Sequence, residues 1–203
     1  MKLDARVGKI TAAEGSVNPL TTNTEGALYT VSSGGKYTDL VLAEKVFTAT
    51  TTAAVALTAH LTLAFTGLVV ENPLTSGKNY IMLGASWGQT VATPTATLLG
   101  LMTGVDAGDA ASAITIRNRL IGSVVTSDAV ADMACTLVGT PVREMFFGMN
   151  WTEATSAGSQ QPVTSVDLDG GIILEPGGYI ATCSEAANTA AFWFSFLWAE
   201  EDI

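Results

Sequence analysis

From residue 27 onward, short runs rich in Val, Ile, Leu, Thr and aromatic residues alternate with clusters of Gly, Pro, Asn, Asp and Ser. This rhythm, with no sustained 3.6-residue period, predicts strands joined by turns. The runs place strands at 28–31, 39–47, 53–57, 67–71, 79–87, 96–103, 120–126, 134–138, 142–149, 163–168, 171–174, 178–183 and 191–198. That is too many short strands for one flat sheet, so the expected fold class is all-β, a two-sheet β-sandwich or jelly roll. A single short helix is allowed at 127–133, where Ser127 and Asp128 can cap one or two turns. Residues 1–27 show neither period and read as an extended N-terminal arm, leaving 28–203 as the β-sandwich domain.

Two turns carry their own mechanism. Asn72-Pro73-Leu74-Thr75-Ser76-Gly77 and Glu175-Pro176-Gly177-Gly178 set Pro and Gly where a chain must reverse. The last strand is the most aromatic: Phe192, Phe194, Phe196 and Trp198 share one face, and Trp193, Ser195 and Leu197 the other. A strand apolar on both sides is either central in its sheet or covered on its second face by a partner subunit. Trp193 and Leu197 are therefore candidate interaction residues, and three sandwiches stacked about an axis would cover them, which predicts a homotrimer.

Composition narrows the function more than it specifies it. With 203 residues, 48% hydrophobic and 14% charged, the chain can bury a large core without staples. Nine basic against nineteen acidic residues give a net charge of −10, which disfavours nucleic acid and anionic lipid as partners. The start runs the other way: Lys2, Arg6 and Lys9 against Asp4 make the first nine residues net positive, so these three cations are candidate docking residues on an acidic neighbour. No apolar stretch follows them as a secretory signal requires, and 53–70 is too interrupted for a membrane helix, so a cytoplasmic product without a membrane partner is expected. Cys135 and Cys183 lack any metal or redox spacing and are read as buried thiols, their pairing left open.

Each motif that suggests chemistry lacks a part that the chemistry needs. Gly84-Ala85-Ser86-Trp87-Gly88 fits the nucleophile-elbow pattern, yet no helix follows it and the chain's one histidine, His60, lies upstream. His60 has no second His or Cys nearby to build a zinc site. The groups Asp106-Ala107-Gly108-Asp109 and Asp167-Leu168-Asp169-Gly170-Gly171 lack the calcium-loop spacing and read as turns. No phosphate-cradling glycine motif occurs. Arg117 and Arg119 suit an exposed edge strand or a salt bridge to another subunit better than a nucleic-acid site. No catalytic, cofactor-binding or metal residue is nominated, and no cofactor or enzyme activity is expected.

The stretches Lys45-Val46-Phe47-Thr48-Ala49, Phe65-Thr66-Gly67-Leu68-Val69-Val70-Glu71-Asn72-Pro73, Ser76-Gly77-Lys78-Asn79-Tyr80, Leu99-Gly100-Leu101-Met102-Thr103-Gly104, Leu174-Glu175-Pro176-Gly177-Gly178-Tyr179 and Trp198-Ala199-Glu200-Glu201 resemble small virion structural proteins of tailed bacteriophages. These are turn and strand motifs rather than active-site ones. The resemblance implies a virion location and a non-enzymatic capsid cement or decoration protein that assembles as a trimer. Its implied partner is the major capsid protein or another virion protein. A tail or fibre accessory is the alternative, and a glycan-binding module using Trp87 and Trp151 as platforms is a rival outside that family.

Overall fold

The computed structural model describes residues 35–90, 97–108, 113–150, 163–187 and 190–203. The expected strand at 28–31 and the arm at 1–27 lie outside them. The chain divides into two compact units, Met1–Thr38 and Asp39–Ile203. Of the first, only 35–38 is described, where Lys36 sits 5.2 Å over the Tyr37 ring.

The described residues are 58% strand and 4% helix, an all-β fold of two antiparallel sheets packed together. Sheet 1 has the order β6 (Arg117–Asn118), β1 (Val46–Thr50), β11 (Ala191–Asp202), β4 (Lys78–Gln89), β9 (Thr164–Leu174), with β2 (Val55–Ala56) pairing β11 beside β1. Sheet 2 has the order β7 (Val130–Thr136), β3 (Ala64–Glu71), β10 (Gly178–Ser184), β5 (Thr97–Val105), β8 (Val142–Asn150). Setting aside β2, β6 and β7, strands β1-β11-β4-β9 face β3-β10-β5-β8. The chain changes sheet at every step between these eight except β5 to β8, which is the jelly-roll order.

The core lies between the sheets. Phe47, Tyr80, Met82, Trp87, Phe192, Phe194, Phe196 and Trp198 descend from sheet 1 onto Leu68, Val70, Leu99, Leu101 and Ile180 of sheet 2. The Phe47 and Trp198 rings stack at 6.3 Å, and Trp198 is fully buried. Each such side chain removed from water contributes about 2–3 kcal/mol, which fixes β11 in register between β1 and β4.

Four expectations are corrected. Residues 39–42 form a helix, α1 (Thr38–Leu42), not a strand. Val46 pairs with Ala199 and β11 stops at Asp202, so a strand running back past Ala43 would have no neighbour. Asp39 in the first turn suits the positive helix end instead. Residues 127–133 form no helix: Val130 onward joins β7 against β3, and the Ser127 hydroxyl accepts the Ala129 N–H at 3.0 Å in a local turn. The expected strand at 120–126 is an exposed loop, with Ile121 and Val124 about nine-tenths exposed and no sheet edge beside it. The two expected strands 163–168 and 171–174 are one, β9, kinked where Asp169 (φ 52°) and Gly170 (φ 76°) adopt left-handed backbone at a bulge against β4.

The two turn signals are clasped together. Asn72, fully buried, donates from Nδ2 to the carbonyls of Lys78 (2.7 Å) and Leu174 (2.9 Å). Its backbone exchanges hydrogen bonds with Gly177 and Gly178, tying the Asn72–Gly77 reversal to the Glu175–Gly178 one.

Candidate interaction face

The outer face of sheet 1 is built by the two-residue alternation of its strands. On β11, Phe192, Phe194, Phe196 and Trp198 point into the core, so Trp193, Ser195 and Leu197 point away from it. Trp193 is 39% exposed and Leu197 half-buried. On β4, Ala85 and Trp87 face the core, leaving Gly84, Ser86 and Gly88 outward; on β1 the outward pair is Thr48 and Thr50.

Register aligns these positions into transverse rows. One row runs Thr50, Ser195, Ser86, Ser165 across β1, β11, β4 and β9, with Thr50 Oγ1 and Ser195 Oγ 2.9 Å apart. The next runs Arg117, Thr48, Leu197, Gly84, Asp167 across five strands. The Thr48 hydroxyl donates to the Phe196 carbonyl at 2.8 Å, lying down on the sheet. Trp193 pairs with Gly88, beside which Val163 is exposed. The result is a field of hydroxyls and glycines that holds a part-exposed Trp193 and a half-buried Leu197, with a cation at one margin and a carboxylate at the other.

This arrangement accounts for the elbow motif. Ser86 sits mid-strand between inward Ala85 and Trp87, flanked across the sheet by Ser195 and Ser165. Its two glycines are outward positions of a strand, not the sharp strand-to-helix turn that exposes a nucleophile. Trp87 is buried between the sheets, which removes it as a glycan platform; Trp151 lies outside the described residues, as do Lys2, Arg6 and Lys9. Arg117 occupies the edge strand β6 and, like Arg119 beyond it, is exposed.

The other candidate residues are scattered. His60 packs edge-on against Phe146 at 6.0 Å, its Nδ1 3.3 Å from the Ser184 carbonyl oxygen. Gly108 N–H donates to Asp106 Oδ1 at 2.9 Å, a local Asx turn. Cys135 and Cys183 are free and buried, and burial raises each thiol pKa to about 12. Among the described residues no three His, Cys, Asp or Glu side chains converge to hold a metal ion, and no helix is long and apolar enough to cross a membrane.

A polar knot at one end of sheet 1 was not foreseen from sequence. Glu200, 4% exposed, accepts from Lys78 Nζ (3.0 Å), Trp198 Nε1 (3.3 Å) and the Ser127 hydroxyl, while Lys78 also bridges to Asp128 at 3.0 Å. Burial works against the Lys78 charge, but Asp128 and Glu200 outweigh it and hold its pKa above the ordinary lysine value. The available signal was the carboxylate pair Glu200-Glu201 ending an otherwise apolar strand; its partners come from strands and loops distant in sequence.

No family model, curated protein or solved structure matches the chain.

Proposed function

We propose that this chain is a non-enzymatic structural protein of a phage virion, a capsid cement or decoration protein that binds and stabilises the outer shell. Its partner is the major capsid protein or another virion protein. The observation that carries this reading is the outer face of sheet 1: a field of hydroxyls and glycines with a part-exposed Trp193 and a half-buried Leu197, suited to burying area against another virion subunit, a second copy included. Small residues let two surfaces approach closely, and Trp is among the residues enriched at the energetic centres of protein contacts. The acidic body keeps the free protein soluble and dispersed before assembly. The cationic start, Lys2, Arg6 and Lys9, supplies a second attachment, and two linked contacts hold more firmly than either alone.

Electron microscopy of the native particle tests the reading directly. Density fitting the jelly roll on the outer capsid surface is expected; density only on the tail or a fibre overturns the decoration role, and absence from the particle overturns the virion reading. Deletion of residues 1–27 should lower particle binding sharply while leaving the melting of the β-domain nearly unchanged. A truncated chain that decorates as fully as the intact one removes the arm from the attachment.

A further inference from the structure

The row Arg117, Thr48, Leu197, Gly84, Asp167 has β11 at its centre, with the cation two strands to one side and the carboxylate two strands to the other. At about 4.8 Å between strands, each charge lies roughly 10 Å from Leu197. Arg117 and Asp167 are both exposed, and each points outward because its chain neighbours Ile116, Val166 and Leu168 pack on the core. A face ordered in this way is complementary to itself under one operation, a half-turn about an axis lying along β11.

We propose that two copies of this chain stack through the outer faces of sheet 1 as a two-fold pair. The half-turn sets Arg117 of each copy over Asp167 of the other. It also sets Thr48 over Gly84, so a side chain on one sheet meets a vacancy on the other. Leu197, Ser195 and Trp193 fall on the axis and meet their own equivalents, Trp193 pairing with Trp193 as the aromatic contact at one end of the axis. Sheets stacked about 10 Å apart and crossed by about 30° keep the Arg117 guanidinium within reach of the opposite carboxylate. The alternative half-turn, across the strands, would put Arg117 on Arg117 and Asp167 on Asp167. Five strands give a face about 24 Å wide, and the five residues from Trp193 to Leu197 about 17 Å of height, so the contact is smaller than the standard ~800 Å² per partner and weak to moderate in strength. The charge order favours this pair over the trimer expected from the sequence of β11 alone.

The proposal rests on reading this face as a subunit contact but not on a virion location, which microscopy decides separately. Its test is sedimentation equilibrium of the full chain up to roughly 300 µM with charge-reversed variants, a range suited to a weak contact. The wild type should form dimers; Arg117→Asp and Asp167→Arg should each weaken association at least about tenfold, because each sets like charges together twice per pair. An equimolar mixture of the two variants should regain the dimer, since every facing pair of positions 117 and 167 then carries like charges within one variant's homodimer but can match opposite charges between the two variants, and the double variant should do so by itself. A wild-type chain that stays monomeric or forms trimers overturns the proposal, as does a mixture no better associated than its components. Both positions are exposed, and a melting curve on each variant establishes that the fold persists.

Discussion

β10 and β11 are the central strands of their sheets, and both read as apolar, yet they are buried in opposite ways. β11 has one buried face and one that carries Ser195, Leu197 and an exposed Trp193. β10 is buried on both: Ile180 points into the main core, while Tyr179, Ala181 and Cys183 enter a second cluster with Phe65, Val69, Met102, Ala107 and Leu137. Tyr179 and Ala181 are fully buried on the far side of a two-layer fold. Part of the cover comes from the segment after β5, where Asp106 N–H bonds Gly177, the Asp106 carbonyl accepts from Val138, and Ala107 joins the cluster. A sheet face thus becomes core where its own chain returns over it and stays exposed where it does not. The middle of sheet 2 is covered in this way; the middle of sheet 1 keeps small polar residues beside Leu197 and a part-exposed Trp193.

The largest effect should come from the buried face of β11. Phe196→Ala is expected to cost about 3–5 kcal/mol in chemical denaturation, against less than about 1 kcal/mol for Leu197→Ala one residue on. Equal costs would erase the distinction between the two faces. Next comes the polar knot: Glu200→Gln takes the charge from a buried partner of Lys78 and should cost about 2–4 kcal/mol, whereas Glu201→Gln, which weakens only the part-exposed Lys45 pair, should leave the midpoint nearly unchanged. A smaller contrast lies in the glycines. A Cβ at Gly100 would come within 2.4 Å of the Met145 carbonyl oxygen, and one at Gly88 no closer than 3.3 Å to the tip of Val163. Gly100→Ala should cost about 1–3 kcal/mol and Gly88→Ala a few tenths, read from midpoint shifts.

The thiols sharpen the same comparison through pH. Burial raises Cys135 and Cys183 to about 12 in the folded chain, against an unfolded value near 9. Above pH 9 the unfolded chain releases these protons and the folded chain retains them, so stability is full below about 9 and falls as pH rises toward 12. The melting temperature should drop between pH 9 and 11, and the drop should shrink in the Cys135→Ala, Cys183→Ala double variant. A thiol reagent at neutral pH should label neither residue until the protein unfolds.

Much of the architecture was legible because it is local. Alternation in β4 and β11 marks both strands within a few residues, and the Pro-Gly turns at 72–77 and 175–178 fall where the chain reverses. What escaped depends on partners distant in sequence. Residues 39–42 have strand composition but no neighbour to pair with, and 120–126 likewise. Residues 130–133 have helical caps before them but a waiting edge on β3. Alternation identified Trp193 and Leu197 as outward residues, but it could not show that the glycines and serines of the elbow-like motif lie beside them. Nor could it show that β10, not β11, is the strand buried on both faces, because part of its cover, Ala107 and Leu137, comes from segments distant from it in sequence.

Hydroxyl-radical footprinting read residue by residue, in dilute and in concentrated protein, tests the central claim that the middle of sheet 1 is a contact surface while the middle of sheet 2 is covered by its own chain. Trp193 and Leu197 are expected to be oxidised in dilute solution and progressively protected as concentration rises, while Tyr179 and Met102 stay unreactive throughout. Unchanged Trp193 oxidation across that range, or Tyr179 and Met102 as reactive as Trp193 in the dilute protein, would contradict it.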